Sequence, residues 1–141
     1  MQTMRSYDPV VEAMVGYAAA EAGNGLAYVR ITGAQSKQLL RIGFRVTASK
    51  PWSDRTIGYA ALTAVSHALG KRGAREVRFI LGNPEFVEEI ATGQGVGETL
   101  VLSYVRLRCA LNSLAKFGVQ AGATEDLTNR ARAEVVLNVA A

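Results

Sequence analysis

Residues Ser53 to Ile90 read "SDRTIGYAALTAVSHALGKRGAREVRFILGNPEFVEEI". From Ser53 the apolar residues Ile57, Ala60, Ala61, Ala64, Val65, Ala68 and Leu69 recur at three- and four-residue steps, which predicts one apolar helix face. Ser53 suits the N-cap and Gly70 the stop. After the basic turn "KRGAR", the run "EVRFIL" has strand composition, and Gly82, Asn83 and Pro84 end it abruptly. A short helix follows, over about Pro84 to Ala91. In α/β proteins the carboxyl end of a strand is where ligands and catalytic groups collect. Here that end carries a neutral Asn83 and a proline, with the first acid, Glu85, only beyond them.

Upstream, "LAYVRI" (Leu26–Ile31) and "LLRIGFRV" (Leu39–Val46) read as a hairpin joined by the turn chemistry of "TGAQSKQ". In the second strand Leu40, Ile42, Phe44 and Val46 alternate with Arg41, Gly43 and Arg45, so the arginines share the face opposite the apolar set. The first segment, "VVEAMVGYAAAEAG", is ambiguous: its alanines favour helix, whereas a strand over Val10–Tyr17 would complete a central sheet. The strand is expected on position. Downstream, a long helix spans about Glu98 to Ala115, with Leu100, Tyr104, Leu107, Leu111 and Leu114 inward. "KFGVQAGA" is a further strand, and Glu125 to about Val139 a last helix.

The 141 residues, 49% hydrophobic and 20% charged, form one expected domain over 1–141 with a substantial core. No apolar run reaches the ~18 residues of a membrane span, and the N-terminus lacks signal-peptide features. A lone Cys109 and a lone His67 exclude an internal disulfide and a Cys/His zinc cluster. A cytoplasmic setting is expected. The net charge of +4 admits a polyanionic partner without requiring one.

The order strand, strand, strand, helix, strand, helices, strand, helix resembles the ribonuclease H-like fold, in particular the type 1 ribonuclease H family. The local likeness is strongest in the stretch quoted above and in "TEDLTNRARAEVV", which resembles the family's terminal helix. The resemblance implies an α/β fold with a central mixed five-stranded sheet and helices on both faces. Members of that family cleave the RNA strand of an RNA–DNA hybrid with two divalent metals. Two hard cations ~4 Å apart need several carboxylates on rigid elements.

Carried over one position at a time, the family's acids fall at Gly16, Ile57, Asn83 and Asn129. None is a carboxylate, and Gly and Ile offer no ligand atom. The resemblance therefore implies a domain without an intact two-metal site, with no cofactor, and with a retained nucleic-acid-binding role. Arg55, Asn83 and Arg130 beside the former metal positions, and Arg41 and Arg45 on the hairpin, are the expected contacts to RNA–DNA hybrid or duplex. One alternative is an active hybrid ribonuclease in which displaced acids, Asp54, Glu85 and Asp126, hold Mg²⁺ or Mn²⁺. The simpler reading of Asp54 and Asp126 is that they complement helix dipoles in first turns. Another alternative is a structural module that forms a homodimer through the long helix or a strand edge.

The remaining features take ordinary readings. Gly93, Gly95 and Gly97 form a flexible connector and match no phosphate loop. Lys71, Arg72 and Arg75 crowd a turn, and Lys71 and Arg72 are expected to be solvated surface. His67 has no catalytic partner in sequence, Cys109 is a small packed side chain, and Trp52 packs on the helix start in preference to stacking on a base.

Overall fold

A computed structural model describes residues 10–34 and 37–140. Strands β1 (Val10–Ala19), β2 (Asn24–Thr32) and β3 (Lys37–Arg45) come first. Helix α1 (Asp54–Lys71), strand β4 (Glu76–Leu81) and helix α2 (Pro84–Thr92) follow. A single 3₁₀ turn (Glu98–Leu100) leads into α3 (Val101–Leu111), then β5 (Lys116–Ala121) and α4 (Glu125–Ala140). The sheet order is β3-β2-β1-β4-β5, with β1–β2 and β2–β3 antiparallel and β1–β4 and β4–β5 parallel. Helices cover both faces of this mixed five-stranded sheet, as expected.

The ambiguous first segment is a strand because it is the centre of the sheet. Ala13 lies opposite Ile31 on one side and Phe79 on the other, and all three are buried. Ladder hydrogen bonds on both edges outweigh a helix propensity of tenths of a kcal/mol per alanine. The strand runs two residues beyond the expected Tyr17, to Ala19.

Helix α1 starts where its chemistry says it should. Ser53 Oγ accepts from the Thr56 amide while Thr56 Oγ1 accepts from the Ser53 amide, a reciprocal cap that satisfies two orphan donors. Its buried face differs from expectation. Tyr59, Leu62, Val65, Ser66 and Leu69 are buried, whereas Ile57, Ala60, Ala64 and Ala68 are only partly covered. The helix packs between the sheet and α3, so its bulkiest side chains turn to the main core and the alanines flank it. Ser66 is tolerated there because its hydroxyl donates to the Leu62 carbonyl at 2.8 Å.

The main core lies between the sheet, α1 and α3, and a smaller one lies under α4, where Leu127, Ala131 and Val135 meet Leu26 and Tyr28. The expected long helix is divided into the 3₁₀ turn and α3, yet Leu100, Leu107, Leu111 and Leu114 are buried as read. Cys109 is a correction: it is exposed, on the outer side of α3. The glycine connector begins with Gly93, whose φ of 74° closes α2 in the left-handed conformation. Among the described residues no helix is long and apolar enough to cross a membrane.

Candidate functional site: the cleft at the ends of β1 and β4

The carboxyl ends of β1 and β4 and the first turns of α1, α2 and α4 converge on a cleft of about 440 Å³. Tyr17, Asp54, Gly82, Asn83, Thr128 and Arg132 are among its lining residues. A second lobe of about 450 Å³ shares Tyr17, Asp54 and Arg132 and adds an apolar wall of Ile57, Val135 and Val136.

Asn83 is the N-cap of α2. Its Oδ1 accepts from the amides of Glu85 at 3.0 Å and Phe86 at 3.3 Å, and Pro84 at the first helical position completes a strong start signal. Its Nδ2 donates to Asp54 Oδ2 at 2.9 Å, and the Tyr17 hydroxyl donates to the same oxygen at 3.1 Å. Burial, then the neighbouring Asp54 charge, pushes the Tyr17 hydroxyl well above its ordinary value. The mouth of the cleft is thus a Tyr17–Asp54–Asn83 network with a single carboxylate.

Beneath it, β1 and α4 are in close contact at Gly16. A Cβ at this position would stand 2.3 Å from the Thr128 amide nitrogen and 2.5 Å from the Leu127 carbonyl carbon. Only glycine fits, so the helix backbone occupies the volume that a side chain on β1 would need. Gly82 is similarly close, with a Cβ position 2.6 Å from Thr124 Oγ1. Glycine at position 16 of the central strand lets α4 settle onto the sheet.

The four positions carried over from the ribonuclease H resemblance are dispersed in chemistry. Gly16 lies under α4, Ile57 lines the apolar lobe, and Asn83 caps α2. Asn129 Oδ1 accepts from Arg132 Nη1 at 3.2 Å. The displaced acids are not brought together. Asp54 is in the cleft, and Glu85 is exposed on the first turn of α2. Asp126 turns to β2, where Arg30 Nη2 approaches its Oδ2 to 2.6 Å and holds its carboxyl below the usual carboxylate range. Among the described residues no group of three His, Cys, Asp or Glu side chains could hold a metal ion.

The basic residues expected beside the cleft lie elsewhere. Arg55 is paired with Glu89, a buried acid that also accepts from the Tyr59 hydroxyl at 2.6 Å. Arg130 faces away from the cleft and stacks 4.5 Å over the Tyr28 ring. Arg132 takes the place in the cleft that Arg130 was expected to hold. It is three residues beyond Asn129 on one helix face, so a same-face reading of α4 would have found it. Tyr17 and Glu89 had no sequence signal of their own.

Arg41 and Arg45 share the α4 side of the sheet with Lys37 and Arg30, because Arg41 is opposite Tyr28 and Arg45 opposite Asn24. Every charged residue of β2 and β3 is basic. Arg41 Nε donates to Glu134 Oε1 at 3.1 Å, and Tyr28 donates to the other oxygen of the same carboxylate. Arg45 donates to Asn24 Oδ1 and the Ala22 carbonyl. Trp52 donates to the Ala48 carbonyl at 2.8 Å, and Lys50 lies 4.8 Å over its ring, so it secures the loop before α1. His67 is exposed on α1.

Neither a family model nor a curated protein matches the sequence. Solved structures do match over nearly the whole chain. Ribonuclease H1 from the halophilic archaeon Halobacterium salinarum NRC-1 superposes with a TM-score of 0.70 at 14% identity, covering 92% of this chain and 98% of that one. The N-terminal RNase H domain of a Mycobacterium tuberculosis protein gives 0.68 at 13% identity, over 92% and 98%. LC11-RNase H1, solved in complex with an RNA/DNA hybrid, gives 0.66 at 13% identity, over 89% and 99%. The chain has a ribonuclease H-like fold.

Proposed function

We propose that the chain is a nucleic-acid-binding protein on a ribonuclease H-like scaffold that does not carry out two-metal hydrolysis. The observation that carries the second half is the seating of α4 on Gly16. Two-metal hydrolysis needs carboxylates around ions ~4 Å apart, and the backbone of α4 stands where a side chain on β1 would project. Of the carboxylates that line the cleft, Asp54 is held by Tyr17 and Asn83, and Glu125 lies on the first turn of α4.

Nucleic-acid binding is supported by the fold, which is that of a protein solved with an RNA/DNA hybrid, and by the basic face of β2 and β3. Arg41 and Arg45 lie four residues apart on an edge strand, ~14 Å at 3.4 Å per residue, so the two guanidinium groups can engage separate phosphates of one strand. Arg30, Arg41 and Arg45 are each steadied by a partner on β2, α4 or the turn after β1, and among the described residues Arg41 is held through Nε alone. Its terminal nitrogens stay available as a fork for phosphate oxygens. Lys37 extends the row.

Fluorescence anisotropy with a labelled RNA–DNA hybrid, in Mg²⁺ at low and moderate salt, tests both halves. Salt-dependent binding that leaves the hybrid intact is expected, and the Arg41→Ala/Arg45→Ala variant should lower the salt slope by about two. Cleavage abolished by Asp126→Asn would instead establish a ribonuclease with displaced acids. No binding at low salt would overturn the reading.

A further inference from the structure

Helix α3 has two unlike sides. Leu107, Ala110 and Leu111 face the core behind Leu100. On the outer side Val101, Leu102 and Val105 are 48%, 61% and 48% exposed, and Cys109 prolongs the stripe. Three large aliphatic side chains on adjoining turns make a contiguous patch, unlike the single apolar residues scattered over any surface. Opposite charges bracket it. Glu98 stands one turn before Leu102 and Arg106 one turn after, both exposed, and neither side chain has an ion-pair partner among the described residues.

We infer that this face receives a second copy of the chain, in a twofold dimer in which the 3₁₀ turn and α3, Glu98 to Leu111, run antiparallel to their counterparts and cross at Leu102. In a twofold contact the same patch serves both subunits and must complement itself. With the crossing at Leu102, residues equally far on either side of it face each other. Leu102 then meets its own counterpart, Val105 lies over Thr99 of the other copy with Val101 beside the central Leu102 pair, and Glu98 meets Arg106 of the other copy at both ends. The charge pattern selects this occupant. A polyanion would be repelled by Glu98 and gain nothing from the aliphatic centre, whereas a second copy satisfies both charges and covers the patch. The surface lies on the opposite side of the sheet from the basic face of β2 and β3, so the dimer is independent of nucleic-acid binding. One three-turn helix per subunit sets the contact below ~1,200 Å² in total, which is the range of weak, reversible association.

Sedimentation velocity over a concentration series reaching about 1 mM, in the range of weak complexes, tests this with the intact chain. The mass is expected to rise from 15.0 kDa towards twice that value. Leu102→Glu should keep the protein monomeric with an unchanged circular dichroism spectrum. Glu98→Arg and Arg106→Glu alone should each shift the midpoint upward at least tenfold, and the double exchange should restore it. The crossing also puts the two Cys109 residues seven positions either side of centre, ~21 Å apart along the axis at 1.5 Å per residue, so oxidation should not lock the dimer. A monomer throughout the series, a dimer that survives Leu102→Glu, or a Cys109 disulfide dimer would each overturn the inference.

Discussion

Asn83 and Asp54 are joined across the mouth of the cleft by a 2.9 Å hydrogen bond in which Asn83 Nδ2 donates and Asp54 Oδ2 accepts. The amide end of Asn83 steadies a carboxylate while its carbonyl end caps α2. A carboxylate at position 83 could still cap the helix, since Asp and Asn are equivalent there, but it would face Asp54 with no proton to give.

Asn83→Asp is therefore expected to destabilise the fold by about 1–2 kcal/mol at pH 7, through one lost charge-assisted hydrogen bond and a like-charge pair screened by solvent. The pH dependence has a definite sign. Mutual repulsion raises the folded-state pKa of the pair above the unfolded values, so the stability is intact at low pH and is lost as pH rises through the carboxylate range. Urea denaturation at acid and neutral pH checks this. Equal penalties at both would show that the two side chains are not coupled.

Gly16 makes a harsher prediction. Gly16→Ala forces a methyl group to within 2.3 Å of backbone on α4, and backbone cannot give way as the end of a flexible side chain does. The expected cost is about 3 kcal/mol, the upper part of the range for overpacking. Gly16→Asp should cost at least as much, with no recovery in Mg²⁺, because the added carboxylate has no room to reach a metal. A Gly16→Asp protein that melted normally and gained stability from Mg²⁺ would sink the account of a closed site.

The Arg55–Glu89–Tyr59 cluster predicts a graded series. Glu89 is 3% exposed in its side chain and Arg55 is 38% exposed. Glu89→Ala leaves the Tyr59 hydroxyl and a half-buried guanidinium without their acceptor, at a cost of about 3 kcal/mol. Glu89→Gln keeps an acceptor for one of them and should cost about half as much, because solvent still screens the exposed part of Arg55. Chemical denaturation of the two variants decides it. Equal losses would mean that packing volume, and not the polar network, sets the stability there.

How much of this was legible follows from which interactions are local. The N-cap at Ser53, the stop after Leu81 and the arginine face of β3 depend on neighbours within a few residues, so the sequence displayed them. The strand identity of Val10–Ala19 depends on β2 and β4, and only its expected place in the sheet suggested it. The rotation of α1, which buries Tyr59 and half-exposes Ile57, depends on α3 packing behind it. In the site, the lack of acids at Gly16 and Ile57 was plain, but the reason Gly16 must be glycine is a contact with residues more than a hundred positions away. The partners that engage Arg55 and turn Arg130 to Tyr28 are likewise distant in sequence, so their charges alone suggested a cleft that neither enters.

Tyr17 and Tyr59 predict the alkaline limit of stability. Both hydroxyls are pushed above the ordinary value of 10.0, first by burial and then by their carboxylate acceptors Asp54 and Glu89. Below that value folded and unfolded chains are both protonated at these groups, and no pH dependence arises. Above it the unfolded chain releases two protons that the folded chain keeps, so stability falls as pH rises, by up to about 1.4 kcal/mol per pH unit for each group. Tyr17→Phe and Tyr59→Phe should each flatten this slope by one group's share, although Tyr59→Phe also strips a hydrogen bond from Glu89 and lowers the plateau at neutral pH. Phenolate absorbance followed together with circular dichroism checks the assignment: the two tyrosines should ionise only as the helices melt. Ionisation of both while the fold persists would place their hydroxyls in contact with water and remove Tyr17 from the network that closes the cleft.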